Sequence, residues 1–418
     1  MSESSTGAAA ADAVTEAAAA AGNWRRAGVA GAAIGVIAAG AAAGVAIERL
    51  TVGRGMRKKA RLALDAAGPY GSLRGMPGTA YADDGTELFY EVESAEPGES
   101  GAESAGRGAR ARRLFGRGRK APAPVTVVFS HGYCLSQDSW HFQRAALRGA
   151  VRAVYWDQRS HARSGRGVDQ TERAVPVSID QLGRDLKAVI DAAAPEGPLV
   201  LVGHSMGGMT TMALADQFPE LIRERVAGVA LVGTSSGQLG EVNFGLPMAG
   251  MNAVRRVLPG LLRTLGSQAE LVERGRRATA DLFAGVIKRY SFSRRDVDPG
   301  IARFAERMIE STPIDVVAEF YPAFAEHDKA EALKHFAELP VLVLAGAGDM
   351  VTPSEHSEAI AALLPDAELV LVPDAGHLVM LEHPDVVTDR LAELLVRAGA
   401  VRAAADTGTG TGTGTSDR

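Results

Sequence analysis

The sequence predicts an α/β fold, a mostly parallel, doubly wound sheet with an inserted helical cap. Three observations lead there. From residue 125 onward, short apolar runs alternate with helical patterns, which is how a chain reads when it lays parallel strands between two layers of helices. One of these runs, Leu199–Gly203, passes straight into Gly203-His204-Ser205-Met206-Gly207 and then into a helical pattern. That is the spacing of a serine held on a sharp strand-to-helix turn. Finally, an aspartate and a histidine fall just beyond two later runs, at the sheet edge where such a serine would stand.

Taken in order, the folded part begins near Met76. Thr79–Tyr81 and Glu87–Glu93 flank Asp83-Asp84-Gly85 and read as an antiparallel hairpin. Residues 94–124 lose all periodicity, beginning acidic and turning basic through Arg107–Lys120, and read as a disordered insertion between strands. The remaining strand candidates are Val125–Ser130, Val151–Trp156, Leu199–Gly203, Val226–Val232, Val341–Ala345 and Glu368–Val372. Helices are expected over Ser178–Ala193, where Ser178-Ile179-Asp180-Gln181 forms a capping box. Two more are expected over Met206–Phe218, stopped by Pro219, and Pro384–Ala398, stopped by Gly399. Residues 237–339 break the alternation with helical character after a strand and read as a cap. The sheet domain is thus split into 76–236 and 340–400, with a disordered tail over 401–418.

At 418 residues, one such domain with an inserted cap accounts for most of the chain. The formal net charge of −5 gives no reason to expect nucleic acid. The single cysteine, Cys134, allows no intrachain disulfide and no cysteine-rich metal site. Residues 1–26 form an Ala-rich polar arm. Residues 27–47 hold no charged side chain and as a helix would span about 31 Å, the thickness of a bilayer's hydrocarbon core. Basic residues follow at Arg49, Arg54, Arg57, Lys58, Lys59 and Arg61. The expectation is therefore a membrane anchor with the following domain cytoplasmic. A cleaved signal and a soluble arm are the alternatives. Nothing in the sequence sets an oligomeric state.

A serine hydroxyl is a weak nucleophile until a base takes its proton, and the base must be oriented by a carboxylate. Ser205 is the candidate nucleophile. His377, in Asp374-Ala375-Gly376-His377, is the candidate base; Asp349, in Gly346-Ala347-Gly348-Asp349, is the candidate acid, with Asp374 as its rival. The order Ser, Asp, His is the one this architecture uses. Small residues two before and two after the serine keep side chains from colliding across the bend. The backbone N–H groups of Tyr133, in Ser130-His131-Gly132-Tyr133, and of Met206 are the candidate oxyanion donors. His131 is expected to bond within its own loop, and Cys134 to be a small buried residue.

These motifs resemble the α/β-hydrolase superfamily over residues 76–400, and the Gly-His-Ser-Met-Gly-Gly elbow is similar to that of monoacylglycerol-lipase-like members of its capped esterase and lipase branch. The resemblance implies Ser205, Asp349 and His377 as a triad, Tyr133 and Met206 as oxyanion donors, and no cofactor. It implies hydrolysis of a small-molecule acyl substrate. Apolar cap segments, Phe244–Met248 and Val257–Leu265, favour a lipid-like acyl group. Carbon–carbon, thioester and peptide hydrolysis are the alternatives within the triad chemistry, and a non-catalytic sensing or membrane scaffold is the alternative outside it. One departure stands out. Where the family's loop usually reads Asp-x-Arg-Gly-x-Gly-x-Ser, Ser160 and Ala162 replace both glycines in Asp157–Ser164, which puts the backbone path of that loop in question.

Overall fold

The computed structural model describes residues 70–95, 124–239, 289–294 and 296–400. The anchor expected over 27–47, most of the 94–124 insertion, and residues 240–288 of the expected cap lie outside them. Among the described residues no helix is long and apolar enough to cross a membrane.

Eight strands build one sheet: β1 (Met76–Tyr81), β2 (Glu87–Glu93), β3 (Thr126–Ser130), β4 (Arg152–Trp156), β5 (Leu199–His204), β6 (Val226–Val232), β7 (Val341–Gly346) and β8 (Glu368–Val372). Their order is β1-β2-β4-β3-β5-β6-β7-β8. β1 and β2 pair antiparallel with each other, and β2 pairs antiparallel with β4. Every later pairing is parallel. The C-terminal ends of β3 and β5–β8 therefore share one edge, which in an open α/β sheet is where ligands bind.

The central parallel strands β3, β5, β6 and β7 are apolar on both sides because both faces are covered. Val127, Phe129, Val200, Val202, Ala230, Val232, Leu342 and Leu344 pack into one core cluster. There they meet α1 (His141–Leu147) through Leu147 and α8 (Pro384–Arg397) through Val387, Leu391 and Leu394. Their neighbours in sequence, Val128, Leu199, Leu201, Val229, Leu231, Val341 and Val343, face the opposite cluster. Leu186, Val189 and Ile190 of α2 (Ile179–Ala193), Met212 of α3 (Met206–Gln217) and Ile360 of α7 (Ser354–Leu363) close that side. The two-residue period of a strand places alternate side chains in the two cores.

The helix ends depart from expectation in two places. Ser178 caps α2 by accepting the Gln181 N–H at 3.1 Å, but the reciprocal half of the capping box is not made. The Gln181 amide instead bonds Asp83 at 2.7 Å and Asp185 at 3.2 Å, tying the β1–β2 turn to α2. Pro219 does end α3, yet it also opens a further helix, α4 (Pro219–Arg225), that the sequence reading passed over. Proline at the first helical position lacks only an N–H that would be unpaired there in any case.

Within the stretch expected to form the cap lie α5 (Pro299–Ser311) and α6 (Ile314–Glu326). Val316, Phe320 and Ala323 of α6 pack on Met206 and Met209 of α3. An isolated bridge pairs Gly237, at the start of this stretch, with Asp328, beyond α6. The loop after β4 takes a left-handed path at both departures from the glycine pattern, with φ of 63° at Ser160 and 44° at Ala162. Arg159 is fully buried in that loop and forms a fork on Asp185, with both contacts at 2.6 Å. Its outer nitrogen also reaches Asp84 at 2.9 Å, so one guanidinium fastens the loop to α2 and to the β1–β2 turn.

Candidate active site

Ser205 stands between β5 and α3 at φ 52°, ψ −119°, a conformation that costs a non-glycine residue about 1–3 kcal/mol. Its own backbone is held on both sides: its N–H donates to Val232 O at 2.9 Å, and its carbonyl accepts the Thr234 hydroxyl at 2.7 Å. The glycines around it are needed for space. A Cβ on Gly203 would lie 2.4 Å from Gly207 O, a collision across the bend as expected. A Cβ on Gly207 would meet the neighbouring strand instead, 2.3 Å from Ser130 O and 2.8 Å from His131 O.

His377 lies in the loop after β8. Its Nε2 is 3.0 Å from Ser205 Oγ and its Nδ1 is 2.8 Å from Asp349 Oδ2. With Asp349 ionised, Nδ1 must carry the proton and donate it, which leaves Nε2 as the acceptor facing the serine hydroxyl. Asp349 is buried, which by itself opposes its charge. The His377 ring and the Thr352 and Val351 N–H groups overcome that and hold the carboxyl below the usual carboxylate range. Those N–H groups reach Oδ1 at 2.9 Å and 2.7 Å. Asp374, the acid nearer in sequence, is exposed on the turn of its loop, at φ 54°.

Gly132 brings the turn after β3 against this pair. A Cβ there would sit 3.2 Å from Ser205 Cβ and 2.6 Å from His204 Nδ1. Tyr133 follows it, and Met206 opens α3, where the first N–H groups have no carbonyl within the helix to bond. The Tyr133 hydroxyl donates to Val317 O of α6 at 2.6 Å. Its ring stacks on Phe320 and meets Phe324 edge-on, with centroids 6.1 Å and 4.9 Å away. His131 bonds within its loop, its Nδ1–H donating to Gly132 O at 2.7 Å, and also beyond it, its Nε2 accepting Gln158 N–H at 2.9 Å. Burial lowers its pKa to about 4, so the ring is neutral. Cys134 is buried, and its N–H donates to His161 Nε2 at 3.2 Å.

The structure thus brings Ser205, Asp349 and His377 into consecutive contact, with Gly132-Tyr133 and Met206 at the serine's shoulder. Four side chains that the sequence reading did not single out hold them there. The Thr352 hydroxyl lies 2.9 Å from both Asp349 Oδ2 and Gly233 O, bracing Asp349 against the end of β6. His204 Nε2–H donates to His377 O at 2.9 Å; burial lowers its pKa to about 3, which keeps it neutral. The Gln158 amide donates to His131 O at 2.6 Å and accepts from Thr210 of α3 at 2.8 Å, linking the Gly132 turn to the elbow helix. Glu382 accepts the Gly376 N–H beside the base at 2.6 Å. Of the four, only Thr352 had a local signal, an aspartate followed three residues on by threonine in a loop.

The family model that matches this chain is described as the alpha/beta hydrolase fold and spans residues 125–384. An sn-1-specific diacylglycerol lipase of Mus musculus is 29% identical over 272 residues, 64% of this chain and 80% of the lipase. A 3-oxoadipate enol-lactonase of Acinetobacter baylyi is 25% identical over 279 residues, 65% of this chain and 88% of that enzyme. Among solved structures, a thermophilic esterase from Thermogutta terrifontis matches with a TM-score of 0.55. That match covers 77% of this chain and 98% of the esterase at 23% identity, a likeness of fold.

Proposed function

Because the chain belongs to the alpha/beta hydrolase fold family, we propose that it is a serine hydrolase that cleaves a carboxylic ester of an apolar, lipid-like acyl group. The observation that carries this reading is the consecutive contact of Ser205 Oγ, His377 Nε2 and Asp349 Oδ2 at 3.0 Å and 2.8 Å. In the proposed reaction, His377 Nε2 takes the Ser205 proton as Oγ attacks the acyl carbonyl. The imidazolium is held by Asp349, and the oxyanion accepts the Tyr133 and Met206 N–H groups. His377 then returns the proton to the leaving alkoxide. Water, deprotonated by the same nitrogen, attacks the acyl-serine ester and releases the acid.

The lipid-like acyl group is supported by the diacylglycerol lipase among the relatives. It is also supported by the aromatic cluster of Tyr133, Phe320 and Phe324 beside the Gly132 turn.

A fluorophosphonate probe tests the reading directly. Wild-type protein is expected to label at Ser205 and to hydrolyse short-chain esters. Ser205→Ala and His377→Ala should lose both, and Asp349→Ala should fall by about 10⁴-fold in kcat, as removal of the acid does in this chemistry. Asp374→Ala should stay near wild type. Folded wild-type protein that neither labels nor hydrolyses any ester would mark a non-catalytic use of the fold and sink the proposal.

A further inference from the structure

His377 sits in a loop, so its ring is only as fixed as the backbone on either side of it. Four backbone groups of that loop are tied, each by a different part of the chain. Ala375 O accepts the Gly348 N–H at 2.9 Å from the loop that carries Asp349. His377 O accepts His204 Nε2–H from the elbow at 2.9 Å. The Leu378 N–H donates to Ser291 O at 2.9 Å. The Gly376 N–H donates to Glu382 Oε2 at 2.6 Å.

Glu382 reaches in two directions. The same carboxylate accepts the Ser293 N–H at 3.2 Å and the Arg294 N–H at 2.8 Å. Ser291–Arg294 belong to the segment by which the chain arrives at α5 and α6 within the stretch expected as the cap. That segment lies flat against both loops of the site. A Cβ on Gly376 would be 2.6 Å from Ser293 N, and one on Gly348 would be 2.4 Å from Ser293 Oγ. Phe292 anchors it in the core cluster that also holds Leu378 and Val379. A carboxylate bonded to backbone N–H groups makes bonds about twice as strong as neutral ones, and here one from Gly376 meets two from Ser293 and Arg294, over eighty residues away in sequence.

We propose that Glu382 is a positioning residue: its carboxylate sets the His377 loop against the Ser291–Arg294 segment, so that the base meets Ser205 only while that segment is seated. This rests on the reading of Ser205 and His377 given above.

The test uses full-length Glu382→Ala and Glu382→Gln, with Glu368→Ala as a control for loss of a carboxylate that pairs only at the outer strand, with Arg390 and Arg397. Short-chain ester kinetics, fluorophosphonate labelling rate and thermal midpoint are read for each. Since a shift near 1 Å at a reacting group can cost about a hundredfold, Glu382→Ala is expected to lower kcat at least about tenfold. KM should stay within about twofold, and labelling should slow in parallel. Glu382→Gln keeps the shape and one acceptor oxygen and should fall between Ala and wild type. If the Ala variant does not fold, a loss of kcat in the Gln variant at an unchanged thermal midpoint carries the test. Either variant folded with wild-type kcat, a loss confined to KM, or an equal kcat loss in Glu368→Ala overturns the proposal. A wild-type protein inert to both substrate and probe would fail the Ser205 reading first, and this proposal with it.

Discussion

Gly207→Ala separates space from backbone freedom at the elbow. The added Cβ would stand 2.3 Å from Ser130 O, 2.6 Å from Ser130 C and 2.8 Å from His131 O, all main-chain atoms that no rotamer change can move away. Ordinary contact begins near 3.4 Å, so the start of α3 and the end of β3 must part by about 1 Å. That gap opens between Ser205 and the Gly132-Tyr133 turn. Misplacement of this size costs about a hundredfold in kcat, and overpacking strain of about 1–3 kcal/mol lowers the thermal midpoint by about 3 °C per kcal/mol. Gly85→Ala is the contrast. Nothing lies within 4 Å of its Cβ, but its φ is +88°, so it should lose about 1–2 kcal/mol of stability and keep its kcat. Ester kinetics and thermal unfolding on both variants decide it. If Gly207→Ala keeps wild-type kcat, or Gly85→Ala loses as much, the contact between elbow and β3 does not place the serine.

Two further outcomes follow from the same geometry. Ala162→Gly relieves a left-handed alanine at φ 44° on an exposed position and should raise stability by about 0.5–1 kcal/mol in denaturant melts. Ser160→Gly should be near neutral, because the Ser160 hydroxyl that it removes accepts the Gly167 N–H at 3.2 Å; a destabilised Ala162→Gly would refute the account. His131, His161 and His204 are all buried, and burial lowers their pKa values to about 4, 3 and 3. A depressed pKa means that the unfolded chain takes up protons first, so stability is intact above pH 6.5 and falls as pH drops toward 4 and 3. Each ring contributes on the order of 1 kcal/mol of loss by pH 5.5; a flat stability profile between pH 7 and 5.5 would refute their neutral, buried state.

What was legible in the sequence follows from how locally each feature is determined. Val226–Val232 is a strand as read, because a run buried on both faces is apolar throughout; Glu368–Val372 is also a strand as read, a half-exposed one at the outer edge of the sheet. β1 extends back to Met76 through Pro77 and Gly78, residues that argue against a strand in general but are tolerated on an edge. A Cβ on Gly78 would strike the Tyr90 ring at 2.3 Å, so a larger residue there must push that half-buried side chain aside. Ser205, Asp349 and His377 could be found because each follows a strand end. Glu382, Gln158 and His204 could not, because their roles rest on backbone groups far away in sequence. The glycine-less loop was open in sequence and is answered in structure: Arg159, forked on Asp185, holds a path that Ser160 and Ala162 then follow at a backbone cost.

The hydroxyl of Tyr133 has a consequence for how this molecule could be re-engineered. One side chain belongs at once to the turn beside the serine and to the helix above it, through Val317 O, Phe320 and Phe324. The sheet and the α5–α6 stretch are therefore not interchangeable modules. A transplanted helix without a carbonyl and two aromatic faces at these places would strand a phenol without its acceptor, at about 1–3 kcal/mol, and would free the turn that stands next to Ser205. Attempts to alter selectivity by replacing α6 should thus change turnover as well, unless Tyr133 is redesigned with it.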